Sequence, residues 1–418
     1  MTVLRVLMVA TVSIVTSAGS VLLAQEETGV DAIKVFLDCD FCDFDHFRRE
    51  VTFVNYMRDR RDAQVHVLVT RQSTGGGREY TFHFIGLREF AGQEDTLRYQ
   101  ASSTDTEAET RDGLVHTFEM GLIPFVAGTP IGSRITISYE QPEVQQVATP
   151  EEDPWNFWVF RLRTGGSANG ESQQTRWSVN GSVSADRLTE DWKIDSDLSG
   201  RFSRSVFDLG DGEEFVSTSK NFNGELLVVR SISDHWSVGG GIEGFSSTFT
   251  NRDLALSIRP AVEYSLFPYE ESTRKQLIFL YQVGPFYFNY EEVTLFDKLE
   301  ETRFRQSLEV AYEVTQPFGQ VGVSIQGSHF LHDFALHRID VRSDLSIRLV
   351  RGLNLNLFGS ISRIKDQIHL PRADIPDEEI LVQRRQLGTS FRYFVFWSLS
   401  YTFGSIFSNV VNPRMDEF

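Results

Sequence analysis

The chain has 418 residues, 12% of them aromatic with 34 Phe, two Cys and a net charge of −18. Its pI near 5.0 argues against nucleic-acid binding, which draws its affinity from clustered Lys and Arg. After the first 24 positions no apolar run reaches the ~20 residues of a membrane helix, which excludes a helical membrane protein but not a barrel of alternating strands.

Arg5, the apolar run Val6 to Leu23 and the small Ala24 before Gln25-Glu26-Glu27 read as an export signal peptide over residues 1–24. The mature chain is therefore expected outside the cytoplasm.

Residues 25–140 read as a small α/β module, expected in the periplasm. Ala32 to Leu37 is a buried strand. Phe47, Val51, Val54 and Met57 recur at helical spacing behind an N-cap at Asp43 or Asp45. Gln64–Thr70 and Tyr80–Ile85 form a hairpin across Thr74-Gly75-Gly76-Gly77. Thr106 and Glu109 make a capping box before a second helix with Leu114, Phe118 and Leu122, and Ile135 to Tyr139 closes the module as a strand.

Cys39 and Cys42 lie between the first strand and the first helix. An exported protein commonly holds such a pair as a structural disulfide, and Asp38, Asp40, Asp43 and Asp45 disfavour a reactive thiolate. A redox pair, or a metal site with His46, is the alternative. No other element calls for a cofactor.

Residues 141–154 are rich in Pro, Gln and Glu and read as a linker. From Trp155 to Gly404 the period is two. The expected fold is an all-β antiparallel transmembrane barrel of about twelve strands, with short turns on one side, longer loops on the other and residues 405–418 as a tail. The first strand is placed at Trp155–Arg163, with loops at Gly165–Gln174, Phe207–Glu214, His329–Leu336 and Lys365–Leu381. Phe391, Tyr393, Val395, Trp397, Leu399, Tyr401 and Phe403 share one face of the last strand. Such a strand suits an interfacial aromatic girdle and an insertion signal for barrel-assembly machinery, with Phe418 a second candidate for the terminal aromatic.

If the apolar faces meet outer-membrane lipid, the opposite faces line a lumen. The candidate lumen charges are Lys193, Asp195, Asp197, Arg201, Arg303, Arg305, Glu309, Glu313, Arg338, Asp340, Arg342, Asp344 and Arg348. Both signs are present, which suits cross-strand pairing and a filled interior rather than a one-signed ion pore.

The segments Trp155-Asn156-Phe157-Trp158-Val159, Ser167-Ala168-Asn169-Gly170-Glu171-Ser172 and Arg187-Leu188-Thr189-Glu190-Asp191-Trp192-Lys193 are similar to the salt-stress-induced outer-membrane barrel family of unknown function. The resemblance spans residues 155–404, implies an outer-membrane location and carries no catalytic residues across.

The expected function is a non-enzymatic outer-membrane barrel whose periplasmic module binds a protein or envelope partner. A narrow solute channel is the first alternative. A hydrolase drawing on His235, His329, His332, His337 or His369 is the second, although no His-x-Ser-Asn element accompanies them.

Overall fold

The computed structural model describes residues 32–137, 153–210, 213–372, 386, 388–412 and 414. The expected signal peptide, most of the linker and Phe418 lie outside these residues. No helix among them is long and apolar enough to cross a membrane.

The N-terminal module holds β1 (Lys34–Asp38), α1 (Phe44–Glu50), β2 (Asn55–Tyr56), β3 (Val65–Thr74), β4 (Gly77–Gly86), β5 (Glu94–Ser102) and α2 (Glu107–Val126). Its sheet runs β2-β1-β3-β4-β5, with β1 parallel to both neighbours and the other pairs antiparallel. Asp43 caps α1 by accepting the His46 amide at 3.0 Å. Helical spacing continues through Val54 and Met57, but the helix ends at Glu50 and Asn55–Tyr56 is a strand. The run Val51-Thr52-Phe53-Val54 is poor in helix formers, because β-branched side chains lose χ1 freedom in a helix.

The expected capping box on α2 forms, with the Glu109 amide bonded to Thr106 Oγ1 and the Thr106 amide to Glu109 Oε2. Phe47, Phe82, Phe84, Phe118, Leu122 and Phe125 build the core between the sheet and the helices. Gly121 is where α2 meets β4, since a Cβ there would lie 2.0 Å from the Phe84 ring. Residues 135–137 form no strand; β5 is the closing strand instead.

Twelve strands follow: β6 (Trp158–Glu171), β7 (Gln174–Leu188), β8 (Trp192–Gly210), β9 (Glu213–Ser231), β10 (Trp236–Ser247), β11 (Arg252–Ser265), β12 (Lys275–Tyr290), β13 (Glu300–Gln316), β14 (Gly319–Phe330), β15 (Asp333–Val350), β16 (Leu353–Ile364) and β17 (Phe391–Tyr401). They form one antiparallel sheet in chain order, with β6 and β17 at its edges. An even count places the start of β6 and the end of β17 at the same end of the sheet.

The sheet corrects three expected loops. Residues 165–171 continue β6 and 174 opens β7, so only Ser172-Gln173 connect them; β8 extends to Gly210; and Leu331-His332 alone join β14 to β15. In residues 165–171 small and polar side chains bury little and so read as loop, yet paired backbones need no large side chains. The expected alternation of short turns and long loops is correspondingly weaker.

Register separates the two faces. One rung across β12–β17 aligns Phe279, Val310, Ile325, Val341, Ile361 and Tyr393. The neighbouring rung, on the other face, aligns Leu280, Glu309, Gln326, Asp340, Ser362 and Arg392. Apolar side chains on the first face stand in solvent: Ile258, Phe304, Ile325 and Ile361 are each at least half exposed.

Candidate functional site at the junction of module and sheet

Register places all thirteen charges named from the sequence on the polar face: Lys193, Asp195, Asp197 and Arg201 on β8; Arg303, Arg305, Glu309 and Glu313 on β13; Arg338, Asp340, Arg342, Asp344 and Arg348 on β15. Among the described residues no ion pair joins two of them across strands. The reason is β14, which lies between β13 and β15 and presents Gln320, Gly322, Ser324, Gln326 and Ser328. The partners that they do find lie on the same strand or outside the thirteen. Arg338 bonds Asp340 on its own strand at 2.7 Å, Arg303 bonds Glu301, and Arg305 lies 3.8 Å from Asp366. Cross-strand pairing occurs at residues the sequence did not single out, where Arg259 on β11 reaches Glu243 at 3.1 Å and Glu225 at 3.5 Å, and Arg161 on β6 reaches Asp186 at 2.7 Å.

Arg348 points to the module. Its guanidinium holds the Asp38 carboxylate with both terminal nitrogens, donates to the Pro317 carbonyl at 3.1 Å and lies over the Phe36 ring at 5.1 Å. His66 Nε2 approaches the same carboxylate at 2.9 Å. Asp38 is 9% exposed and His66 1%, so water reaches this cluster poorly. Burial works to raise the Asp38 carboxyl, but the His66 and Arg348 hydrogen bonds outweigh it and hold the group below the usual carboxylate range.

Two further contacts reinforce the docking. Arg351 bonds Asp62 at 2.5 Å, and the Gly352 amide donates to Asp59 Oδ2 at 3.1 Å. Gly352 has φ +71°, and a Cβ there would meet the Thr402 carbonyl at 2.1 Å, so the β15–β16 turn requires glycine.

The tail completes the module's sheet. Met57 bridges Phe407 in antiparallel sense, the Arg58 amide donates to the Ile406 carbonyl at 3.0 Å, and the Ser408 amide donates to Tyr56 at 3.0 Å. Asn409 accepts the Tyr56 amide at 2.6 Å and donates to Asn55 Oδ1 at 2.8 Å.

Cys39 and Cys42 form a disulfide, as expected, with Cys39 buried in the module core and Cys42 packed against it. Phe41, between them in sequence, lines two cavities that separate module from sheet, of about 1720 Å³ and 580 Å³. The larger mixes apolar Leu188, Leu227, Val229 and Leu280 with charged Arg71, Arg163, Lys193 and Asp195. Tyr269 lines it too, bonded to Ser237 and donating to Glu263 at 2.9 Å; burial and the Glu263 carboxylate push its hydroxyl up to about 12.

At the opposite end the segment after β16 folds back over the polar face. Ile368 packs with Phe288, Tyr290 and Phe330, and Asn251 donates to the Glu292 and His369 carbonyls. His369 sits between Arg252 and Gln386; burial, aided by the Arg252 charge, pulls it down to about 4. The other candidate histidines meet Ser265 O (His235), Gln306 (His329), Arg303 (His332) and Phe334 O (His337). Those ring contacts include no serine hydroxyl.

Neither the tail pairing nor Asp38 as a docking residue leaves a signal in the sequence, because the partners stand more than 300 positions apart. Comparison with protein-family models and with curated proteins finds no match for this chain.

Proposed function

We propose that the protein is a non-enzymatic outer-membrane β-barrel whose periplasmic module stoppers the barrel at its periplasmic end and is positioned there to meet a protein or envelope partner. The observation that carries this reading is the apolar face. From β10 to β17, alternate residues from Trp236 to Gly244, Leu254 to Tyr264, Leu277 to Pro285, Phe304 to Val314, Val321 to Ile325, Ile339 to Leu349, Leu353 to Ile361 and Phe391 to Tyr401 include no charged side chain. Such a surface in water is an aggregation liability; in a bilayer it is the expected exterior.

Closure of β6 against β17 is part of the proposal, because the bilayer core tolerates no unpaired strand edge. Strand lengths of 11 to 19 residues, an even count and termini gathered at the module's end all support it. That residues 155–404 belong with the salt-stress-induced outer-membrane barrels is part of the same proposal.

A narrow channel is the second reading, favoured by the two cavities behind the module. Fractionation tests the first reading: the full chain should follow the outer membrane and migrate differently in SDS before and after boiling. Recovery in the soluble periplasmic fraction would overturn it. Planar-bilayer recordings separate the two: a stoppered barrel stays silent, whereas steady single-channel steps from the wild-type protein establish the channel.

A further inference from the structure

On the polar face the side chains of the last two strands break the pattern. Phe394 and Phe396 on β17 and Phe358 on β16 stand there, 52%, 53% and 48% exposed, with the Phe358 and Phe394 rings 5.8 Å apart. At comparable height the same face carries Ser324, Gln326, Asp344 and Ser360. β17 therefore presents large apolar groups on both faces, since Tyr393, Val395 and Trp397 occupy the other. A strand with lipid on one side and water on the other has no reason to do so.

Two neighbouring features define the occupant. Arg392 lies on the same face as the phenylalanines, two residues before Phe394, so a cation heads an apolar strip about 13 Å long from 392 to 396. Across the proposed closure, β6 offers Gly165, Ser167 and Asn169 on the same face, whose small side chains leave space over that strip. An anionic head beside a guanidinium and an alkyl chain along aromatic rings is the chemistry of a phospholipid.

We propose that the interior face of β16–β17 is a binding site for one membrane phospholipid, its phosphate at Arg392 and an acyl chain along Phe394, Phe396 and Phe358, admitted from the bilayer when the β6–β17 seam opens. A bound acyl chain accounts for apolar rings left exposed on this face of β16–β17, whereas Phe286, Phe288 and Tyr290 of β12, on the same face, are packed around Ile368. The site rests on the barrel reading.

The test uses the full-length chain in phosphatidylethanolamine–phosphatidylglycerol vesicles, with a nitroxide at Phe396→Cys, Val395→Cys or Ser324→Cys and its collisions with oxygen and a water-soluble nickel chelate measured. The native cysteines are disulfide-bonded and do not compete. Labels at 395 and 396 should both be oxygen-rich, with nickel access several-fold below that at 324. If 395 meets lipid while 396 matches 324, the lipid site is wrong and the barrel stands. If 395 itself is open to nickel, the membrane reading falls and the site with it. Dipolar broadening at 396 would put a second copy of the chain in the strip and overturn the lipid. As an independent arm, Arg392→Ala should lower co-purified phosphatidylglycerol several-fold by native mass spectrometry; unchanged retention counts against the site.

Discussion

Arg348 on β15 and Asp38 on β1, 310 residues apart, join the sheet to the module through two guanidinium nitrogens, one at 2.6 Å from the carboxylate. The bond is bidentate and its acceptor is buried, unlike the exposed pairs whose loss is seldom measurable. Removing one partner of such a pair strands the other, so Arg348→Ala should weaken docking by about 2–3 kcal/mol, scaled down from a fully buried pair because Arg348 keeps 29% of its side-chain surface exposed. Limited proteolysis of the full-length chain reads this as faster cleavage of the module. Arg348→Lys should recover only part, lacking the fork.

The same carboxylate sets an acid limit. Asp38 titrates below its ordinary 3.8 in the fold, so its contribution is complete above that value and is lost as pH falls toward the depressed one. Docking should therefore loosen only in strong acid, and Asp38→Asn should remove that part of the pH dependence.

His83 produces a second and earlier pH effect. Burial, with Arg274 and Arg98 adding to it, lowers its pKa from 6.5 to about 4. The unfolded chain takes up a proton first, so the module loses stability as pH falls from about 6.5 to 4. His83→Gln should flatten a plot of module melting temperature against pH across that interval and leave the acid limit of Asp38 in place.

Gly121 tests packing against propensity. Replacing a mid-helix glycine by alanine usually stabilises by up to ~1 kcal/mol. Here the new Cβ would lie 2.0 Å from the fully buried Phe84 ring, so the overpacking cost of about 1–3 kcal/mol should prevail. Gly121→Ala should thus lower the module's melting temperature, and a rise would show that α2 can shift away.

Deleting residues 405–418 should expose the β2 edge. The Tyr56 and Arg58 amides lose their acceptors in Asn409 and Ile406, at roughly 1 kcal/mol for each bond. Hydrogen exchange should accelerate at those two amides while the Phe118 core of α2 stays protected.

The large elements were legible where side chains alternate strictly, as from Arg338 to Leu349, because one buried or lipid-facing side imposes period two. α2 was legible from Thr106 and Glu109. β5 was not: Glu94 to Ser102 is an edge strand of which Ala101 alone is buried, so charge appears on both faces. The two-residue β2 is too short to carry a period, and residues 52–54 read as helix because burial by β1 and α2 produces apolar spacing without a helix. Of the candidate charges, the sequence identified the face but not the partners, which depend on register: Arg348 reads like Arg342, yet only one of them reaches the module.

The pairing of β2 with Ile406–Asn409 also orders events in time. The buried core of the module is complete once α2 is made, and it can fold while the strands are still being made. Its β2 edge, however, waits for a segment some 350 residues downstream, a long and entropically slow closure. A sealed module edge therefore records that every strand between has already been made. A truncated product would carry an open edge.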